Sequence, residues 1–280
     1  MNIARAVYSI LKIEGLYGLI EKIYQYGKLS ILYRNSYVIA KIYFLGHGKI
    51  LKRKDEFYYL TDLNMGKTWL LPGLRATYHT LENYQKRITK QFFDNEYIEI
   101  CEDDIIFEVG SYIGGSTVGV AGKAAHVYAI EASPRNVVCL RHNVKDLPNV
   151  TVIHKAAWKE TESVQMQYGI AADDDSLLTP DKGSIGKATE VQADTLTNIA
   201  NEVNVDHIDF LKVEAEGVEP EVIEGISGVS VHKIAVDCGP ERDGEPVVGE
   251  VSNRLNRMGY EVSNDGKMVY GRLSDRNIII

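Results

Sequence analysis

The stretch Ile105-Ile106-Phe107-Glu108-Val109-Gly110-Ser111-Tyr112-Ile113-Gly114-Gly115-Ser116-Thr117 constrains this chain more than any other. Four apolar residues in five make a buried strand. Gly110 and Gly114 permit a tight turn, and Ser116 and Thr117 suit the first turn of a helix. A strand, a glycine loop and a helix in succession let a ligand approach bare backbone at the positive end of a helix. Nucleotide-type cofactors sit this way at the carboxyl edge of parallel sheets.

The spacing narrows the ligand. A dinucleotide loop needs G-x-G-x-x-G after the strand so that a pyrophosphate meets bare backbone, and here Tyr112 stands in place of the second glycine. The order is instead E-x-G-x-x-x-G. A second strand, His126 to Ile130, ends at Glu131, with Ala132-Ser133-Pro134 opening the next helix. Glu131 is an acid at a strand tip about twenty residues past the loop, placed to accept hydrogen bonds from two ribose hydroxyls. An acid ahead of the glycines tolerates a cationic ligand and disfavours a pyrophosphate. S-adenosyl-L-methionine brings a sulfonium and an amino group, and no phosphate.

Alternation continues downstream. A helix is expected from Arg135 to about Asp146, then a strand from Val150 to Ile153, with His154-Lys155-Ala156-Ala157 at its cofactor-side end. A helix opens at Asp194-Thr195-Leu196, and Ile208 to Val213 forms a fourth strand that ends in Glu214-Ala215-Glu216-Gly217 before the helix-start sequence Glu219-Pro220-Glu221. A last pairing of Tyr260 to Val262 with Met268 to Tyr270 turns at Asn264-Asp265-Gly266. Strands alternating with helices imply a Rossmann-like, doubly wound, mostly parallel α/β sheet. Between Ala171 and Gly186 the chain is polar, as in a lid, a binding loop or a mobile segment. Its run Asp173-Asp174-Asp175 reads as a solvated acidic loop, since one run supplies no enclosing geometry for a cation. No metal site is expected.

Upstream, residues 1–95 read as a basic helical and short-strand extension, and residues 96–280 as the catalytic body. Two short amphipathic helices are expected over residues 2–26, strands at Lys49 to Arg53, Phe57 to Leu60 and Thr68 to Leu71, and a helix from about Thr80 to Phe93 with Thr80 as its cap. Net charge is −8, yet residues 1–54 hold ten basic residues against Glu14 and Glu21, a balance of +8 that leaves −16 on the rest. An acidic body argues against nucleic acid as the main partner. The basic start fits either a peripheral contact with an anionic membrane or a helical extension packed on the body or on a second subunit. Its mixture of tyrosines and glycines, without one clean apolar face, favours the extension.

No apolar run reaches the length of about 18 expected of a spanning helix, and no signal-type start is inferred. Cys101, Cys139 and Cys238 are far apart, as thiols of a reducing compartment. The expected location is cytoplasmic, with peripheral membrane contact and oligomerisation both left open.

Two separated motifs carry a resemblance. Phe107-Glu108-Val109-Gly110 through Thr117 with Ala129-Ile130-Glu131-Ala132-Ser133-Pro134 is the first, and Asp194-Thr195-Leu196 with Asp209-Phe210-Leu211-Lys212-Val213-Glu214-Ala215-Glu216-Gly217-Val218-Glu219 is the second. Over roughly residues 95–240 the chain resembles the FkbM family of S-adenosylmethionine-dependent methyltransferases. Glu108 and Glu214 stand where that family typically has Asp, and Tyr112 narrows the loop around the methionine moiety. The resemblance implies a class I methyltransferase fold and methyl transfer to an oxygen, often a hydroxyl on a sugar, glycan or other small biosynthetic intermediate.

Candidate roles follow. Glu108 and the loop Gly110, Ser111, Tyr112, Ile113 and Gly114, with Thr117, hold the methionine end. Glu131, with Ala132 and Ser133 beside it, holds the ribose, and Ala156 faces the adenine. The proton acceptor is sought first in Glu214, then Glu216, then His154. Two other readings stand beside this one: a nicotinamide-dependent sugar-modifying enzyme, opposed by Tyr112 and by the lack of a Tyr-x-x-x-Lys pair downstream of the glycine loop, and a non-catalytic cofactor-binding subunit of a membrane-associated glycan or lipid assembly.

Overall fold

Residues 37–180 and 183–273 are described by the structure, a computed structural model, and they divide after Thr80 into two units. The helices expected over residues 2–26 lie outside the described residues. In the first unit, α1 (Tyr37–Gly46) leads into β1 (Lys49–Lys54), β2 (Phe57–Asp62) and β3 (Thr68–Leu71), an antiparallel sheet in that order.

The second unit begins with α2 (Glu82–Phe93). The sequence places the domain boundary near residue 95, but α2 packs on elements of the larger unit, through Phe92, Phe93 and Ile88 on its buried face. Thr80 does not cap α2. Its hydroxyl donates to Thr77 O at 2.8 Å, and Leu81 takes the cap position without a side-chain bond.

The chain then runs β4 (Ile105–Val109), α3 (Gly115–Val120), β5 (His126–Glu131), α4 (Pro134–Val144), β6 (Val150–His154), β7 (Ala156–Ala157), β8 (Glu162–Gly169) and β9 (Ser184–Asp194). After these come α5 (Leu196–Glu202), β10 (His207–Val213), α6 (Glu219–Glu224), β11 (Ser230–Asp237), α7 (Val248–Arg257), β12 (Glu261–Asn264) and β13 (Met268–Arg272). Seven strands form one sheet in the order β12-β13-β11-β10-β4-β5-β6, parallel from β11 to β6. The β12–β13 hairpin joins β11 antiparallel. This is the mixed, mostly parallel doubly wound sheet expected from the alternation. β11 was not assigned from sequence because His232 and Lys233 interrupt its apolar run.

The central strands are buried on both faces and mostly apolar: Ile106 and Phe107 on β4, and Phe210, Leu211 and Val213 on β10, are fully or almost fully buried, with Glu108 and Lys212 as the buried charges among them. From β4 the chain winds first toward β5 and β6, and later returns to β10 and β11 on the other side. The order therefore reverses between β4 and β10, and at such a switch point the carboxyl ends of the strands leave a crevice. A smaller sheet, β7-β9-β8, branches off beyond β6.

Candidate active site

Backbone conformation builds the crevice first. Gly110 has φ 74°, and a Cβ there would lie 1.7 Å from Glu214 O on the neighbouring strand tip, so no side chain fits. Gly114 has φ 84° and caps α3 in the left-handed region. Between them Tyr112 adopts φ 52°, unusual for a bulky residue. The loop is fastened by Gly110 N and Ser111 N donating to Ile130 O at 3.0 and 3.1 Å, and by Ser111 Oγ donating to Glu108 O at 2.8 Å. Buried Ile113 adds its carbonyl, which accepts from Asn143 Nδ2 at 2.9 Å.

Glu131 meets this loop. Its Oε2 accepts from Tyr112 N and its Oε1 from Ser133 N, both at 2.8 Å. The side chain is buried, and among the described residues no cation is bonded to it; burial pushes its pKa up to about 7 against the pull of those amides. Asn136 Nδ2 also donates to Oε1 at 3.5 Å, so Oε2 is the oxygen that keeps a lone pair for a hydroxyl donor. Ala132 O accepts from His154 Nε2 at 3.2 Å. Ala156 is buried with Met166, Val191 and Ala193, and Ala132 packs against the same cluster.

Glu108 is placed differently from the expectation that it holds a ligand's methionine end. It is fully buried, its oxygens accept from Ser116 Oγ and from Thr117 Oγ1 (2.6 Å), and Lys212 Nζ lies 3.6 Å away. The acid thus fastens β4 to the first turn of α3. Lys212, opposite Glu108 in the β10–β4 register, is also fully buried. It donates to Gly110 O at 3.1 Å and pairs with Glu214 Oε2 at 2.9 Å. Burial works against its charge, but Glu214 and Glu108 outweigh burial and raise its pKa.

Glu214, with a third of its side chain exposed, is the partly open acid of this triad. It does not stand alone at the edge. Asp237 ends the adjacent strand β11, and burial and the charge of Glu214 raise its pKa while Lys267 opposes the rise through an ion pair. Glu241 is raised by burial and by Asp237. Asp237, Glu241 and Lys267 were missed from sequence. The available signal was Asp237-Cys238-Gly239, an acid and a glycine ending an apolar run, as at Glu131 and Glu214.

Of the other candidates, Glu216 has φ 50°, and its carbonyl accepts from Ser176 Oγ at 3.0 Å. Glu219 is buried with a pKa pushed up to about 7 by burial, and holds Ala215 N and Gly217 N at 2.9 and 3.1 Å. His154 is exposed at the tip of β6. With β4 and β5 intervening, it lies about 14 Å across the sheet from the β10 tip at ~4.8 Å per strand, so the structure does not bring it to Glu214.

The 171–180 segment is not the solvated acidic loop expected. Asp174 and Asp175 are buried, because Asp175 accepts from Ser133 Oγ (2.7 Å), Arg135 Nε (2.9 Å) and Gly169 N (3.0 Å). Asn136 Nδ2 donates to Ala172 O at 2.9 Å. Asp175 thereby ties the segment to the β5 side and Ser176 ties it to the β10 side. It forms a strap across the tip of β4, and burial together with Asp173 raises the pKa of Tyr112 beneath it.

A glycine loop after the first strand, an acid at the tip of the second and a sheet of this order define the class I methyltransferase architecture. The chain belongs to the FkbM methyltransferase family: the model described as "Methyltransferase FkbM domain" matches residues 108–264. Among curated proteins it is similar to "Ribosomal RNA small subunit methyltransferase A" of Syntrophus aciditrophicus, 44% identical over 59 residues, or 21% of each chain. The protein of that name from Desulfotalea psychrophila is 44% identical over 62 residues, 22% of this chain and 21% of its own. The chain thus matches about a fifth of the length of these curated relatives. Among solved structures, an FkbM methyltransferase from Methylobacillus flagellatus overlaps 71% of this chain and 54% of its own, with 15% identity and a TM-score of 0.46. The Methanococcus jannaschii fibrillarin pre-rRNA processing protein overlaps 80% and 97%, with 14% identity and a TM-score of 0.44.

Proposed function

We propose that this protein transfers the methyl group of S-adenosylmethionine to a hydroxyl of a sugar, glycan or other small acceptor. The observation that carries the reading is Glu131, a buried carboxylate held by the amides of Tyr112 and Ser133 at the mouth of the glycine loop. A ribose hydroxyl fits the open lone pair of its Oε2, and the backbone at Gly110 to Gly114 admits the methionine end. Ala132 and Ala156 offer a flat apolar wall to the adenine.

Bound S-adenosylmethionine supplies an electrophilic methyl group. The protein's own residues orient the acceptor oxygen and take its proton. Lys212 fixes Glu214 at the switch point, and Glu214 with Asp237 forms the acidic wall that an acceptor hydroxyl meets. Glu214 is the first candidate to receive the proton, with Asp237 beside it. The similarity to ribosomal RNA methyltransferases covers a fifth of the chain, and the negative balance of the body opposes an RNA surface. Small neutral acceptors suit it better.

Calorimetric titration with S-adenosylmethionine, S-adenosylhomocysteine and NAD⁺ tests the cofactor. Saturable heat from the first two, lost in Glu131→Ala, is expected. Binding of NAD⁺ alone would overturn the methyltransferase reading.

A further inference from the structure

Charge divides between the two units. Through Thr80 the balance is +7, since Asp55, Glu56 and Asp62 outnumber Lys67 and Arg75 beyond residue 54, and the remainder carries −15. Such an imbalance calls for an anionic partner on the first unit.

One end of that unit exposes apolar side chains on a firmly built turn. Between β2 and β3, Asp62 Oδ1 accepts from Asn64 N (2.9 Å) and Met65 N (3.1 Å), Asp62 N donates to Lys67 O (2.9 Å), and Lys49 pairs with Asp62. This turn presents Leu63, 56% exposed, and Met65, 77% exposed. Leu63 N donates to Gly48 O at 3.0 Å, which brings the end of α1 to the same place and adds exposed Leu45. Lys41, four residues before Leu45 and so on its helix face, is exposed. Lys67 lies over the Trp69 ring at 4.2 Å.

We infer that this end, with Leu45, Leu63 and Met65 at its apex and Lys41 and Lys67 at its rim, docks on an anionic lipid bilayer. Aliphatic chains rimmed by lysines match the headgroup boundary, where apolar tips insert and cations meet acidic lipids. Three side chains are too few for a stable interface with a second copy. Single-stranded nucleic acid needs aromatic platforms, and Trp69 is buried. Among the described residues no helix is long and apolar enough to cross a membrane.

Flotation of the full chain with phosphatidylcholine vesicles, with and without phosphatidylglycerol, tests this. Binding to the mixed vesicles alone is expected, falling at least ~tenfold in Leu63→Asp/Met65→Asp and weakening with salt. Lys41→Glu/Lys67→Glu should likewise lower binding and flatten its salt dependence. Both variants should keep the thermal midpoint and S-adenosylmethionine binding, which separates this contact from the catalytic reading. Equal binding to neutral vesicles, no flotation, or flotation unchanged in both variants would overturn the inference. So would capture of single-stranded RNA in place of vesicles, or a dimer that the aspartates dissolve.

Discussion

Gly110 and Lys212 set the geometry of the crevice, one by having no side chain and the other by having a buried charge. Gly110→Ala is expected to lose more than about 2 kcal/mol of stability in urea melts, because its Cβ collides with backbone at a positive φ. Lys212→Met strands Glu108 and Glu214 and should cost about 3–5 kcal/mol. Adding Glu108→Gln should recover part of that loss, and a double variant no better than the single would disprove the pairing. Glu131 makes binding depend on pH. Its neutral form prevails below about 7, and the ionised form accepts hydroxyls better, so S-adenosylmethionine affinity should rise about tenfold from pH 6 to pH 8. The ligand-free fold responds in the opposite sense. Glu131 and Glu219 bind protons more tightly folded than unfolded, so stability falls as pH climbs from the ordinary carboxyl range to about 7. Melts at pH 5 and pH 8 of the wild type and of Glu131→Gln would reveal that slope.

At the scale of elements, the strap is the part least legible in advance. Its aspartates look solvated in sequence because nothing local announces Ser133 and Arg135, some forty residues away, as partners of Asp175. By contrast β4, β5, β6 and β10 were readable from their mostly apolar stretches and from the glycine or acid that closes β4, β5 and β10, although Glu108 and Lys212 lie within β4 and β10 and the edge strand β6 ends at His154. β11 escaped because its Lys233 belongs to an ion pair with Asp104 that only the fold assembles. Glu108 was legible as an acid before the glycines, but its direction was not, because Ser116 and Thr117 claim it once α3 forms. Asp175→Asn should release the strap from Arg135 and speed S-adenosylhomocysteine dissociation several-fold in stopped-flow displacement. An unchanged rate would show that the strap does not gate the crevice.

For the whole molecule, the division after Thr80 assigns α2 to the larger unit, so residues 81–280 should melt cooperatively and bind S-adenosylmethionine, whereas a fragment starting at residue 96 should not. Loss of Phe92 and Phe93 from the face of α2 is the reason, and circular dichroism with calorimetry would decide it. The opposed charges of the two units have a colloidal consequence as well. A chain positive at one end and negative at the other is an ampholyte whose copies attract one another when few ions are present. Added salt disperses such copies, so the buffer that best keeps this protein in solution is also the one expected to weaken the proposed lipid contact.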